Sequence, residues 1–351
     1  MAEKIKKITG MRLFMPIVCL FIVLLVNVIR TPDFFNITLK DGQLSGWLID
    51  VINRGSELVI LAIGMTLVTA ASGGQDISVG AVMAVAAAVC CQILSGGEVS
   101  TNTLAAPIII AAIAGILVAA LCGVFNGFLV AKLNIQPMVA TLILFTAGRG
   151  IAQLVTQGQI TYVRVESYKA MGGFLGPIPT PVIFAVAAVV VAYLVLNKTA
   201  LGMYIESVGI NSHASRLIGL NSTRIKFLTY VICGALAGLA GIVASSRIYS
   251  ADANNIGLNL EMDAILAVAL GGNILSGGKF SLMGSVIGAY TIQALTTTLY
   301  AMSVPSDQLP VYKAIVVIII VVLQSPVYKK AMQNYKAKRQ SKKAVVQGGE
   351  Q

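Results

Sequence analysis

Residues 62–84 read AIGMTLVTAASGGQDISVGAVMA. Two uncharged apolar runs flank a polar, glycine-broken centre, Gly73-Gly74-Gln75-Asp76-Ile77-Ser78. The apolar character continues outward to Leu58 on one side and to Leu94 on the other, with Gln92 the only polar interruption. Long apolar segments joined by a tight polar turn suit a chain that enters a bilayer and leaves it again. Asp76 is placed to cap the helix that opens at Ser78, where the helix dipole favours a carboxylate.

The remainder of the chain has the same character. Of 351 residues, 57% are hydrophobic and 11% charged, against roughly a quarter charged in a soluble domain. Such a chain cannot clothe itself in polar surface, so lipid is its solvent. Cys19, Cys90, Cys91, Cys122 and Cys233 all lie in apolar runs without metal or disulfide spacing and read as small packing residues. His213 is the only histidine, and no paired acidic motif accompanies it. Neither an enzyme, a metal nor a cofactor is therefore expected.

A spanning helix needs roughly 20 mostly apolar residues. Ten segments qualify, at 13–29, 57–72, 77–95, 107–131, 137–156, 180–196, 226–246, 261–272, 281–303 and 309–325. The second and eighth are short and end in glycine, as broken or re-entrant helices do. The first is read as a retained span rather than a cleaved leader, since no small-residue cleavage site follows it. Lysine and arginine fix the orientation. With both termini cytoplasmic, 17 of the 25 fall inside, seven outside, and Arg149 lies within a span. The net charge of +11 is then a positive-inside bias facing anionic lipid, and nucleic acid is not a partner. The expected organisation is one membrane domain over 1–351, with a core of about 13–325 and cytoplasmic tails at 1–12 and 326–351.

Three loops are long. Residues 30–56 hold Trp47, the only tryptophan, and 157–179 carry Arg164, Glu166 and Lys169; both are placed outside. The third, 197–225, is cytoplasmic. Within it Asn211 and Ser212 are plausible caps, Ala214, Leu217 and Ile218 recur at helical spacing, and Gly219 and Asn221 end the element. This is a two-turn amphipathic helix, either an interfacial anchor or a piece that fits a partner's socket.

Polar residues inside spans face a cavity or a neighbouring helix. Asn126, Thr141, Arg149, Gln153, Asp263 and Gln293 are the candidates for a translocation path, and for each one interhelical bonding is an equally good explanation. Gly234, Gly238 and Gly241, with Ala235 and Ala237, read as close helix packing. Leu275-Ser276-Gly277-Gly278-Lys279 mimics an ATPase signature but joins two spans. The adjoining phosphate-loop pattern fails too, because Phe280 follows Gly278-Lys279 where serine or threonine is needed and Asn273 replaces the first glycine. The stretches 73–78 and 271–276 look alike, and glycine-interrupted pairs of this kind point to a pathway in transporters.

Residues 62–84, NGFLVAKLNIQPMVATLILFTAGRG (126–150), KTALGMYIESVGIN (198–211) and ADANNIGLNLEMDAILAVALGGNILSGGKFSLMGSVIGA (251–289) resemble the permeases of bacterial monosaccharide ABC importers of the ribose, galactose and xylose type, most closely those for galactofuranose. The resemblance covers nearly the whole chain apart from its tails. It implies an all-α integral membrane protein of about ten transmembrane helices, some short or broken, with the fold of vitamin B12 importers. It implies location in the bacterial inner membrane, with a separate ATPase, an extracytoplasmic sugar-binding protein and a second permease, a heterodimer being favoured. It further implies that Asn211, Ser212, His213, Ala214, Ser215, Arg216, Leu217, Ile218, Gly219, Leu220 and Asn221 form the helix that docks into the ATPase, Gly202 and Gly209 allowing close backbone approach. The alternative is an ion-coupled secondary sugar transporter, which would carry an ionisable residue near the membrane centre. Arg149 and Asp263 are its candidates, and this topology puts both toward the outer ends of their spans.

Overall fold

Trp47 begins a 26-residue helix that ends at Ser72, where Gly73 takes a left-handed conformation and its amide bonds to Thr69. Every residue of it from Gly55 to Ala71 is buried, so the helix is apolar all round and runs through the centre of the bundle. The computed structural model describes residues 13–40 and 42–324. Residues 1–302 form one body and 303–351 a second.

The first body contains α1 (Phe14–Arg30), α2 (Trp47–Ser72), α3 (Val79–Ser95), α4 (Ile108–Gly127), α5 (Pro137–Val155), the short α6 (Glu166–Lys169), α7 (Thr180–Lys198), α8 (Leu201–Ile210), α9 (Ser212–Leu217), α10 (Ser222–Arg247), α11 (Leu260–Leu270) and α12 (Leu282–Ala301). A π-helical turn, Phe128–Lys132, continues α4. The described part of the second body is built on α13, Leu309–Gln324. Each of the ten apolar runs has its helix. Among the described residues five helices are both long and apolar enough to cross a membrane: α2, α4 with its π turn, α5, α7 and α10. The expected tails at 1–12 and 326–351 lie outside the described residues.

Two expectations need correction. The second span is not short: α2 starts ten residues earlier than the apolar run alone suggested, because its first turns carry Asp50, Asn53, Arg54 and Glu57. Arg247, far along the chain, bonds to Asn53 and Glu57, while Asp50 and Arg54 are exposed, an arrangement that periodicity cannot foresee. The chain is also not wholly α, since among the described residues three small sheets tie the connectors. The hairpin β1–β2 (Thr38–Lys40 and Gln43–Ser45) sits within 31–46, and β5–β6 (Phe174–Leu175 and Ile178–Pro179) precedes α7. In the third sheet β4 (Thr161–Val163) runs parallel to β3 (Ser100–Thr101) and antiparallel to β7 (Ser250–Ala251). That sheet joins the connectors after α3, α5 and α10, all three of which the charge rule assigns to one side. The eighth segment is short, as expected: α11 has 11 residues, about 16 Å of helix against a hydrocarbon core of roughly 30 Å.

Between helices in lipid there is no hydrophobic drive to associate, so contact depends on close packing and buried polar bonds. α10 supplies the packing. A methyl group on Gly234 would meet the Ala119 carbonyl of α4, and one on Gly241 would meet Met83 in α3. Gly64 of α2 lies against Cys233, and Cys19, Cys90, Cys91 and Cys233 are all buried, consistent with small packing residues. The bonds come from Asn27 donating to the Thr298 hydroxyl at 2.7 Å, Thr66 to Ser285 at 2.6 Å, and Tyr168 sharing a hydrogen with Ser245 at 2.6 Å. Glu57 of α2 and Arg247 of α10 form an ion pair of 2.7 Å, the only one among the described residues.

Two outcomes follow for thermal unfolding in detergent. Gly241→Ala forces a methyl against backbone and costs about 1–3 kcal/mol, whereas Gly150→Ala, with nothing within 4 Å of the added carbon, leaves the midpoint unchanged or raises it. Glu57→Gln removes the charge facing the part-buried Arg247 guanidinium, leaving it two longer bonds to Asn53, and costs about 1–3 kcal/mol; an unchanged midpoint would show that the pair is solvated.

Candidate functional site

The loop between α7 and α10 folds as two helices set at an angle. The Asn211 side chain accepts from the amides of His213 and Ala214, both at 3.0 Å, and so opens α9. Gly219 closes it at φ 86°. The Asn221 side chain accepts from the Arg224 amide at 2.9 Å and opens α10, while Arg216 donates to the Ser222 hydroxyl at 2.6 Å and braces the two. The amphipathic pattern is realised in an unexpected sense. Ser215 is the buried residue, held by the Asn211 carbonyl, and the apolar face looks away from the protein. Leu217 is 89% exposed and Ile218 75%.

Behind that loop three connectors converge on glycine. Gly209, near the end of α8, lies against the Ala70 carbonyl of α2, which also accepts from the Gly278 amide at 2.9 Å. A methyl on Gly277 would fall 3.0 Å from the Gly73 Cα and 3.2 Å from the Gly209 oxygen. Gln75 donates to the Leu275 carbonyl at 3.3 Å. The two glycine-broken stretches that look alike in sequence therefore touch one another and the root of the exposed helix. The signature-like Gly277-Gly278 pair has φ values of 92° and 96°, a conformation that explains its glycines as turn residues.

The six path candidates fall into separate groups. Asn126 and Thr141 surround the turn before α3. Asn126 donates to the Ser78 hydroxyl at 2.8 Å and more weakly to Asp76, and Thr141 accepts from the Ile77 amide at 3.2 Å. Asp76 itself is buried and accepts from the Ser78 amide at 2.9 Å and its hydroxyl at 2.6 Å, in keeping with the capping role. Gln293 bonds to Thr297 within α12 and is buried. Arg149 and Gln153 act together: Arg149 donates to the carbonyls of Ala253, Asn254 and Ile256 at 3.0–3.1 Å, and Gln153 to the Asn254 side chain at 2.7 Å. They hold the segment that leads into α11.

That segment folds inward. A methyl on Gly80, in the first turn of α3, would meet the Gly257 carbonyl and the Glu261 carboxylate. The first turn of α11, with buried Glu261 and Asp263, therefore sits beside the first turn of α3, well inside the bundle and not at an outer end. Sequence reasoning passed over Glu261 and the Glu57–Arg247 pair, since their partners are distant in the chain. The nearest signal for Glu261 was two carboxylates two residues apart in LEMDAIL.

The exposed faces of the long helices differ. α4 presents Ile109, Ile113, Leu117, Leu121 and Phe125, and α7 presents Ile183, Val186, Val190 and Val191. α5 interrupts the same kind of surface with exposed Thr146, Gly150 and Gln153 beside half-buried Arg149.

Residues 47–324 match the family model described as branched-chain amino acid transport system / permease component. Over 310 residues, 88% of each chain, the sequence is 46% identical to the galactofuranose transporter permease protein of Escherichia coli K12. It is 39% identical over 342 residues to the fructose import permease protein of Bifidobacterium longum NCC 2705, covering 95% of this chain and 94% of the relative. It is 33% identical over 314 residues to the ribose import permease protein of Escherichia coli K12, covering 88% and 92%. No solved structure matches the chain. On this likeness, which spans α2 through α13, the chain belongs to the family of transport permeases described as branched-chain amino acid transport system / permease component, whose members move solutes rather than catalyse reactions.

Proposed function

We propose that the chain is the membrane-spanning permease subunit of an ATP-driven monosaccharide importer in a bacterial inner membrane, with both termini cytoplasmic. The single observation that carries this reading is the exposed Leu217–Ile218 face on a capped helix. Two large apolar side chains pointing into water, on a helix fastened at both ends, are anchors for a protein partner. In this reading the partner is the ATPase. Its closure pushes α9, and the force passes through α8 to the glycine contact with the α2–α3 and α11–α12 turns. Relatives named for galactofuranose, fructose and ribose support a monosaccharide cargo, with galactofuranose the first to try.

The proposed architecture is one domain over 1–351 with ten crossings and a vitamin-B12-importer-like arrangement. The face of α5 bearing Thr146, Gly150 and Gln153 is ill suited to lipid, where polar side chains are costly. It lines a wet path shared with a second permease, a different chain in the favoured assembly. Arg149 and Gln153 set the position of the inward-folding segment 253–256 beside that path. A binding protein delivers the sugar from outside, and weak, multi-site contacts within the path let it leave. Arg149 serves three backbone carbonyls, so its role is positional and not that of an ion carrier.

Two experiments test the reading. Complexes captured from native membranes on a C-terminal tag should hydrolyse ATP, and Leu217→Asp with Ile218→Asp should abolish that activity while leaving the unfolding midpoint of the purified chain in place. Retention of the ATPase by the double variant would sink the docking assignment. Thr146→Leu with Gln153→Leu should lower sugar uptake by roughly tenfold without loss of the captured ATPase, as removal of lining polar groups does. Undiminished uptake would return that face to the lipid.

A further inference from the structure

On the surface opposite the buried side of α4, a groove of about 980 Å³ runs between α4 with its π turn and the start of α10. Leu121, Phe125, Phe128 and Leu228 wall it, and Lys132 and Arg224 lie at one end. Both cations are exposed, and neither has an ion-pair partner among the described residues. The Lys132 ammonium lies 5.6 Å over the Phe128 ring, so its stem covers the apolar floor while its charge stays at the mouth. The π-helical turn that carries both residues is a rare conformation, found often at functional sites.

The walls continue the apolar lipid-facing surface of α4, the most hydropathic of the candidate spans, so the groove's occupant comes from the bilayer. A soluble acidic protein could meet the two cations but is ill matched to the exposed apolar length from Leu121 to Phe128. A ligand with acyl chains and one negative phosphate matches both parts. We propose that this groove is a selective site for an anionic phospholipid, with its phosphate between Lys132 and Arg224 and a chain along Phe128 and Phe125. The assignment to the cytoplasmic leaflet rests on the orientation proposed above; the lipid chemistry does not. Asn221, which also lines the groove and caps α10 through the Arg224 amide, ends the loop that carries α9. The lipid therefore sits against the base of that loop.

The test uses the purified full chain with Trp47→Phe and Phe128→Trp, reconstituted in vesicles of brominated phosphatidylglycerol or brominated phosphatidylcholine mixed into unbrominated phosphatidylcholine. Quenching of the groove tryptophan should show a roughly thirtyfold preference for phosphatidylglycerol, the scale set by two cations at an anionic surface. Lys132→Gln with Arg224→Gln should bring the two lipids to parity, while Lys198→Gln with Lys279→Gln, cations outside the groove, should preserve the preference. If Phe128→Trp disturbs the fold, native mass spectrometry of the otherwise unaltered chain reads the same selectivity as retained phosphatidylglycerol. Equal quenching by both lipids in the parent protein means an ordinary annular contact and overturns the proposal. Absence of quenching by either means that a protein chain covers the groove, and overturns it as well. Because no ATPase is present, either failure leaves the importer reading to be judged by ATPase capture alone.

Discussion

Backbone against backbone is the constraint on which the structure depends. In a lipid-solvated bundle the solvent is as apolar as the side chains, so burial of leucine gains little and helices adhere through packing and polar bonds. α10 meets α3 and α4 through Gly241 and Gly234, each against a backbone carbonyl, and meets α2 where Gly64 faces Cys233. These approaches hold α2 at the centre, sheathed from Gly55 to Ala71. With the helices this close, a few short hydrogen bonds and one ion pair between residues 190 positions apart, Glu57 and Arg247, suffice to fix their register.

The same device recurs at the base of α9. Gly209, Gly73 and Gly277 bring three connectors to van der Waals contact at the base of α9. Contact made through backbone alone has no side chain to yield by changing rotamer, so a displacement of one strand of chain is passed on to the next. The exposed face of α9 is joined to this junction by only the short helix α8. On the other side of the bundle a three-stranded sheet ties the connectors after α3, α5 and α10. The two ends of the molecule are thus secured differently, one by a hydrogen-bonded ladder and one by glycine contact.

Much of this was legible beforehand. The ten apolar runs became helices because a hydrogen-bonded helix is the one local structure that such runs can adopt in lipid. The capped helix at 212–217 could be read from Asn211 and Gly219, whose roles are local. The small residues of α10 announced close packing without naming the partner. The early start of α2 was hidden because Asp50, Asn53 and Glu57 resemble loop residues until their distant partners are known. For the polar residues within the spans the sequence left a path and interhelical bonding equally open, and the partners each one bonds are a matter of tertiary structure. Asn126 and Thr141 secure the turn before α3, Gln293 bonds along its own helix, and only Arg149 and Gln153 meet the inward-folding segment.

Sequence by itself determined that the chain dissolves in lipid, how many apolar segments it divides into, where they break, and which family it resembles. Those properties belong to composition and short-range order, and each residue contributes to them without reference to distant ones. Tertiary structure alone decided which way the apolar face of α9 points and that the two glycine-broken turns touch. It also decided that the chain before α11 doubles back to the first turn of α3. These depend on contacts between residues scores of positions apart, such as Gly80 with Glu261 and Gly209 with Ala70. No periodicity along the chain encodes such pairings, because the same glycine or carboxylate would be equally at home in many local settings.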